Sequence, residues 1–107
     1  MKNLKEEVVK FAKKFNITNL SPLRSGNISV RAKVNNFDGF LITPSGKKYK
    51  TLKTDEIVFV SLNGEYGDNG QIPSSEWRFH QDIYLNKERA KAIVHAHSPY
   101  ATAVSAF

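Results

Sequence analysis

The chain has no cysteine. Disulfides and thiolate metal sites are therefore excluded, which fits a reducing compartment. It also has no apolar run near the roughly 20 residues that span a bilayer. The N-terminal stretch MKNLKEEVVKF is charged and amphipathic, without the uninterrupted apolar segment of a signal peptide. A cytoplasmic location with no membrane partner is the expectation. Acidic side chains are in short supply, with 10 Asp and Glu against 16 Lys and Arg, so the net charge is +6. Such a balance suits anionic partners, either nucleic acid or small phosphorylated molecules. The basic residues are scattered, however, apart from short clusters at Lys13-Lys14 and Lys47-Lys48-Tyr49-Lys50. No long basic helix and no basic strand interleaved with aromatics is present, so no nucleic-acid partner is expected. Histidine is scarce too: the chain holds only three, His80, His95 and His97.

What is present describes one small domain. The 107 residues are 40% hydrophobic and 24% charged, enough for a modest core. Leu4, Val8, Phe11, Ala12 and Phe15 recur at helical spacing and predict an amphipathic helix over residues 3–15. Asn16 and Ser21-Pro22 break that pattern. Ser25-Gly26-Asn27 is a turn signal leading into a strand from Ile28 to Val34. The run from Asn35 to Gly39 reads as a hairpin turn, and Phe40 to Ile42 as a short strand stopped by Thr43-Pro44-Ser45-Gly46. Ile57 to Leu62 predicts another strand, closed by an Asn63-Gly64 turn. Residues 67–73 read as loop, followed by a helix from about Ser75 to Asn86. Ala92 to His97 then predicts a strand. Ser98 as N-cap and Pro99 at the first helical position predict a last helix, SPYATAVSAF. That segment shows no stop signal, so residues 1–107 are read as the N-terminal portion of a single larger domain.

The run AIVHAH carries the most chemistry. Alternate strand residues point to one face, so His95 and His97 project together, about 6–7 Å apart, near enough to share a transition metal. Two partly buried, hydrogen-bonded histidines are the ordinary alternative. Glu76 is the best partner for them. It lies in Pro73-Ser74-Ser75-Glu76, at the start of the helix that precedes the histidine strand. Ser74 and Ser75 suit N-caps, and the same spot suits an anion, since backbone N–H groups and the positive end of the helix dipole face outward there. Glu76 either complements that dipole or serves as a general acid/base beside a metal. Ser25-Gly26-Asn27 and Thr43-Pro44-Ser45-Gly46 are further loops whose small residues and donors suit an anion or an ordinary turn. Neither has P-loop spacing.

Taken in order, SGNISVR (Ser25 to Arg31), LITPSG (Leu41 to Gly46), PSSEWRFH (Pro73 to His80) and AIVHAHSPYATAVSAF (Ala92 to Phe107) resemble the class II aldolase/adducin family. The resemblance covers nearly the whole chain. It implies an α/β (α+β) sandwich: a mainly antiparallel central sheet flanked by helices, truncated here. It also implies a metal-dependent aldehyde-lyase, an aldolase of carbohydrate metabolism. Such an enzyme cleaves a sugar phosphate, such as a ketose 1-phosphate, to dihydroxyacetone phosphate and an aldehyde. By the same resemblance, Gly26, Asn27, Ser45, Gly46, Ser74 and Ser75 would bind substrate phosphate. Glu76 would be the catalytic acid/base and a ligand to the metal when no substrate is bound. His95 and His97 would hold Zn2+ or another divalent metal. The family's third zinc histidine, and a tyrosine supplied by an adjacent subunit of a homotetramer, lie downstream of Phe107. Epimerases of the family carry aspartate at the Glu76 position, so glutamate favours a lyase. The alternatives are a sugar-phosphate dehydratase or epimerase of the same family, or a non-catalytic adducin-like module. His80, one turn past Glu76, is read as structural.

Overall fold

The computed structural model describes residues 2–17, 27–45, 51–67, 70–95 and 101–104. Helix α1 spans Lys2–Ile17 and strands β1 and β2 span Asn27–Val34 and Phe37–Ile42. A short 3-10 turn at Thr54–Glu56 precedes β3, Val58–Ser61. Helix α2 covers Trp77–Asn86, and β4 and β5 cover Ala92–His95 and Ala101–Val104. The strands form one sheet in the order β3-β2-β1-β4-β5, and every neighbouring pair is antiparallel.

Both faces of this sheet are apolar because a helix covers each. Val8, Val9 and Ala12 of α1 pack on Ile28, Val30, Ala32, Leu41 and Ala92. The alternate residues of the same strands, Phe40, Ile42, Val58, Val60 and Ile93, pack with Tyr84, Trp77 and Ile83 of α2. Period-two alternation thus divides each strand between two cores. The exception is β1, whose α2-facing positions are Asn27, Ser29 and Arg31. A polar stripe there, under a helix, foreshadows a site.

Turn chemistry sets the register. Asn35 and Asn36 have φ of 52° and 69°, so this two-residue hairpin turn has both central residues in the left-handed region, as type I′ requires. The turn is tighter than the Asn35-to-Gly39 span expected from sequence, because Phe37, Asp38 and Gly39 already pair with β1. At Gly39 the neighbouring strand comes very close. A Cβ there would run into the Val60 carbonyl oxygen and lie 2.8 Å from Ser61 Cα.

One expected element is corrected. The helix expected over SPYATAVSAF is, at Ala101–Val104, a strand paired with β4 in the register Ala92↔Val104 to His95↔Ala101. The free edge of β4 offers a full row of backbone partners, and β-branched Thr102 and Val104 suit a strand. The Ser98-Pro99 start signal itself lies outside the described residues.

Candidate active site

Three elements meet at one end of the sheet. Asn27 opens β1, His95 closes β4, and the two are register partners. Glu76 is the N-cap residue of α2 and lies directly over them. Asn27 Nδ2 donates to Glu76 Oε1 at 3.2 Å. His95 Nδ1 lies 2.6 Å from the same carboxylate oxygen. The buried Nδ1 makes no hydrogen bond among the described residues. Phe79 covers the imidazole, ring centroids 4.9 Å apart. The Glu76 side chain is 47% exposed and that of His95 19%, so the carboxylate faces open space while the imidazole is held from behind.

The flanking loops are tied to this end by backbone bonds. Thr43 N donates to Ile28 O at 3.1 Å, Ser45 N to Ile72 O at 2.9 Å and Ser74 N to Thr43 O at 2.9 Å. Pro44 and Pro73 form the bridge between the two loops. Ser45 and Ser74 therefore sit on adjacent loops beside Glu76. Ser74 Oγ accepts from Glu76 N at 3.3 Å, and its carbonyl accepts from Trp77 N at 3.0 Å, so it braces the turn that leads into α2. Ser75 is exposed next to it. Gly26, Gly46 and His97 lie outside the described residues.

Beneath the carboxylate runs a buried polar chain. Glu76, His80 and Tyr84 recur every four residues on α2, and Asn27, Ser29 and Arg31 every two on β1. Four helical residues climb about 6 Å and two strand residues advance about 6.6 Å, so the two ladders stay in step. His80 Nε2 meets Asn27 Oδ1, His80 Nδ1 lies 2.6 Å from Ser29 Oγ, and Ser29 Oγ lies 2.8 Å from the Tyr84 hydroxyl. His80 is fully buried, and that burial, with nearby His95 adding, pushes its pKa down to about 3. Burial also pushes the Tyr84 hydroxyl up, against its bond to Ser29 and the charge of Arg31. Arg31 completes the ladder. Its guanidinium donates to the carbonyls of Ala90 (2.8 Å), Tyr84 (3.0 Å) and Lys87 (2.9 Å), closing the C-terminal end of α2. The structural reading of His80 matches this placement. Ser29 and Tyr84 were not singled out from sequence, although their spacing with Asn27 and Glu76 was the available signal.

The Glu76 carboxylate and the His95 imidazole, side by side at the end of the sheet, are an oxygen and a nitrogen donor of the kinds that divalent transition metals take. Glu76 and His95 thus fit two positions of a divalent-metal site. Among the described residues no group of three His, Cys, Asp or Glu side chains is close enough to hold a metal ion.

Residues 6–107 match the family model described as the class II aldolase and adducin N-terminal domain. The chain belongs to the class II aldolase and adducin family. Within that family it is 46% identical to the L-fuculose phosphate aldolase of Haemophilus influenzae over 81 residues, 76% of this chain and 35% of the relative. It is 38% identical to the 5-methylthioribulose-1-phosphate/5-deoxyribulose-1-phosphate aldolase of Rhodospirillum rubrum over 102 residues, 95% of this chain and 44% of the relative. Among solved structures, an L-fuculose 1-phosphate aldolase superposes with a TM-score of 0.80 at 35% identity, covering 92% of this chain and 45% of that one. The α/β sandwich with its antiparallel sheet is the fold of these class II aldolases. The chain spans less than half the length of each of these relatives.

Proposed function

We propose that this chain carries the donor half of a metal-dependent aldolase site acting on a ketose 1-phosphate, releasing dihydroxyacetone phosphate and an aldehyde. The observation that carries the reading is the convergence of Glu76, His95 and Asn27 at the end of the sheet, with Glu76 Oε1 as the shared point. The aldolase relatives support it: the Rhodospirillum rubrum relative and the superposed structure are named for sugar 1-phosphates.

The work divides by residue. Ser45, Ser74 and Ser75, with Gly26 and Gly46, would hold the phosphate. The serine hydroxyls and the outward backbone N–H groups ahead of α2 suit a dianion. The Asn27 amide is committed to His80 and Glu76, which leaves one of its N–H groups for a ligand. His95 and Glu76, with His97, would hold zinc or another divalent metal, which supplies Lewis acidity at the substrate's carbonyl and neighbouring hydroxyl oxygens. Glu76 would move the proton at the donor carbon: it takes it in the condensation direction and returns it after cleavage. The half-exposed carboxylate can reach a substrate, while Asn27 holds one of its oxygens from behind.

The donor half-reaction isolates this role. Zinc-loaded protein in D2O is expected to exchange the carbinol hydrogen of dihydroxyacetone phosphate for deuterium, followed by proton NMR against a protein-free blank. Glu76→Gln should slow exchange by about 10²-fold or more while keeping zinc bound. Chelator should stop exchange in the parent chain. Exchange that persists undiminished in Glu76→Gln, or none above blank with zinc bound, would overturn the assignment.

A further inference from the structure

We propose that the buried series Tyr84–Ser29–His80–Asn27 is a positioning device that fixes the Asn27 amide with its donor end toward Glu76. The proposal rests on the reading of Glu76 as the acid/base and assigns a task to four residues behind it.

The direction of every bond follows from its neighbour. An ionised carboxylate only accepts, so the amide end beside Glu76 Oε1 is the Nδ2 donor. The other end, Oδ1, only accepts, so His80 Nε2 must carry a proton. A neutral imidazole with Nε2 protonated leaves Nδ1 bare, and so Ser29 must donate its hydroxyl hydrogen to it. The Ser29 oxygen is then free to accept from the Tyr84 hydroxyl. Donors thus point one way, from Tyr84 to the carboxylate, and each buried polar group in the series has a partner. Neutrality of His80 agrees with its depressed pKa of about 3.

The alternative arrangement is costly. A flipped amide would set Oδ1 against Glu76 Oε1, acceptor against acceptor, and would demand the other His80 tautomer. Asn27 is 4% exposed, Ser29 and His80 are fully buried and Tyr84 is 1% exposed, so water cannot repair such a mismatch. The series therefore acts on the carboxylate through Asn27. His80 is a positioning residue that touches neither substrate nor metal.

The wild-type chain supplies the first test. 15N NMR of His80 should show Nε2 protonated and Nδ1 bare, unchanged between pH 5 and 8. The opposite tautomer, or titration in that range, would overturn the proposal. A variant test separates positioning from folding. His80→Phe keeps an aromatic ring, somewhat larger, and loses both hydrogen bonds. It should reduce deuterium exchange of dihydroxyacetone phosphate at saturation by about tenfold or more, with the half-saturating concentration little changed. His80→Gln, which retains a terminal N–H donor, should recover part of that loss. If His80→Phe does not fold, Ser29→Ala makes the same comparison with a smaller excision. Unchanged exchange in the folded variant overturns the positioning role. If Glu76→Gln still exchanges, the functional reading fails instead, and the wild-type tautomer still decides the network.

Discussion

His80 makes stability depend on pH in a direction that can be worked out. Burial pushes its folded pKa from 6.5 to about 3, whereas the unfolded chain titrates near the ordinary value. Between those limits the unfolded state binds a proton that the folded state refuses. The native state is therefore favoured above pH 6.5, and that advantage drains away as pH falls toward 3. One pKa unit corresponds to about 1.4 kcal/mol, so moving from pH 6.5 to 4.5 should cost about 2–3 kcal/mol through this residue alone. Urea unfolding at a series of pH values measures it. The slope between pH 6.5 and 4.5 should be shallower in His80→Gln, which cannot titrate. Parallel slopes for the two proteins would show that His80 is not held neutral.

At the scale of elements, Gly39 sits where β3 leaves no room for a side chain on β2. The obstacle to a side chain is backbone, the Val60 carbonyl and Ser61 Cα, together with the Phe59 ring. Backbone cannot rotate aside, so Gly39→Ala must open the β2–β3 pair or shift its register. A loss of about 1–3 kcal/mol is expected, read as a lower urea midpoint at unchanged m-value. A midpoint within about 0.5 kcal/mol of the parent would mean that the strands separate freely. The elements themselves were largely legible before the structure. Helix α1, strand β1, helix α2 and strand β4 each show a clean period or a sharp turn signal. The segment after Pro99 was not, because local start signals favour a helix and only the open edge of β4 makes a strand the better outcome. The site divides in the same way. His95 stands out because histidine is rare in this chain, and Glu76 because it sits in a specific motif just ahead of the histidine strand. Ser29 and Tyr84 lie in no such motif and are 55 positions apart. They matter only because a four-residue helical step matches a two-residue strand step across the packed interface.

For the whole molecule, the position of the candidate metal donors has a thermodynamic consequence. Glu76 is fixed at the start of α2, which covers one face of the sheet, and His95 at the end of β4 within it. The unfolded chain does not hold these two groups together, so an ion that joins them binds the folded state preferentially. Zinc at 100 times its dissociation constant would then stabilise the fold by about 2.7 kcal/mol. For a chain near 100 residues each kcal/mol moves Tm by about 4–8 °C, so a rise of about 10 °C or more is expected. Thermal unfolding followed by circular dichroism, with and without zinc, measures it, and chelator should reverse the rise. His95→Ala should abolish most of the shift, since it removes the imidazole whose Nδ1 lacks a partner. An equal shift in His95→Ala would place the zinc elsewhere on the molecule. No shift at millimolar zinc would mean that Glu76 and His95, although 2.6 Å apart, are no metal donors in this chain.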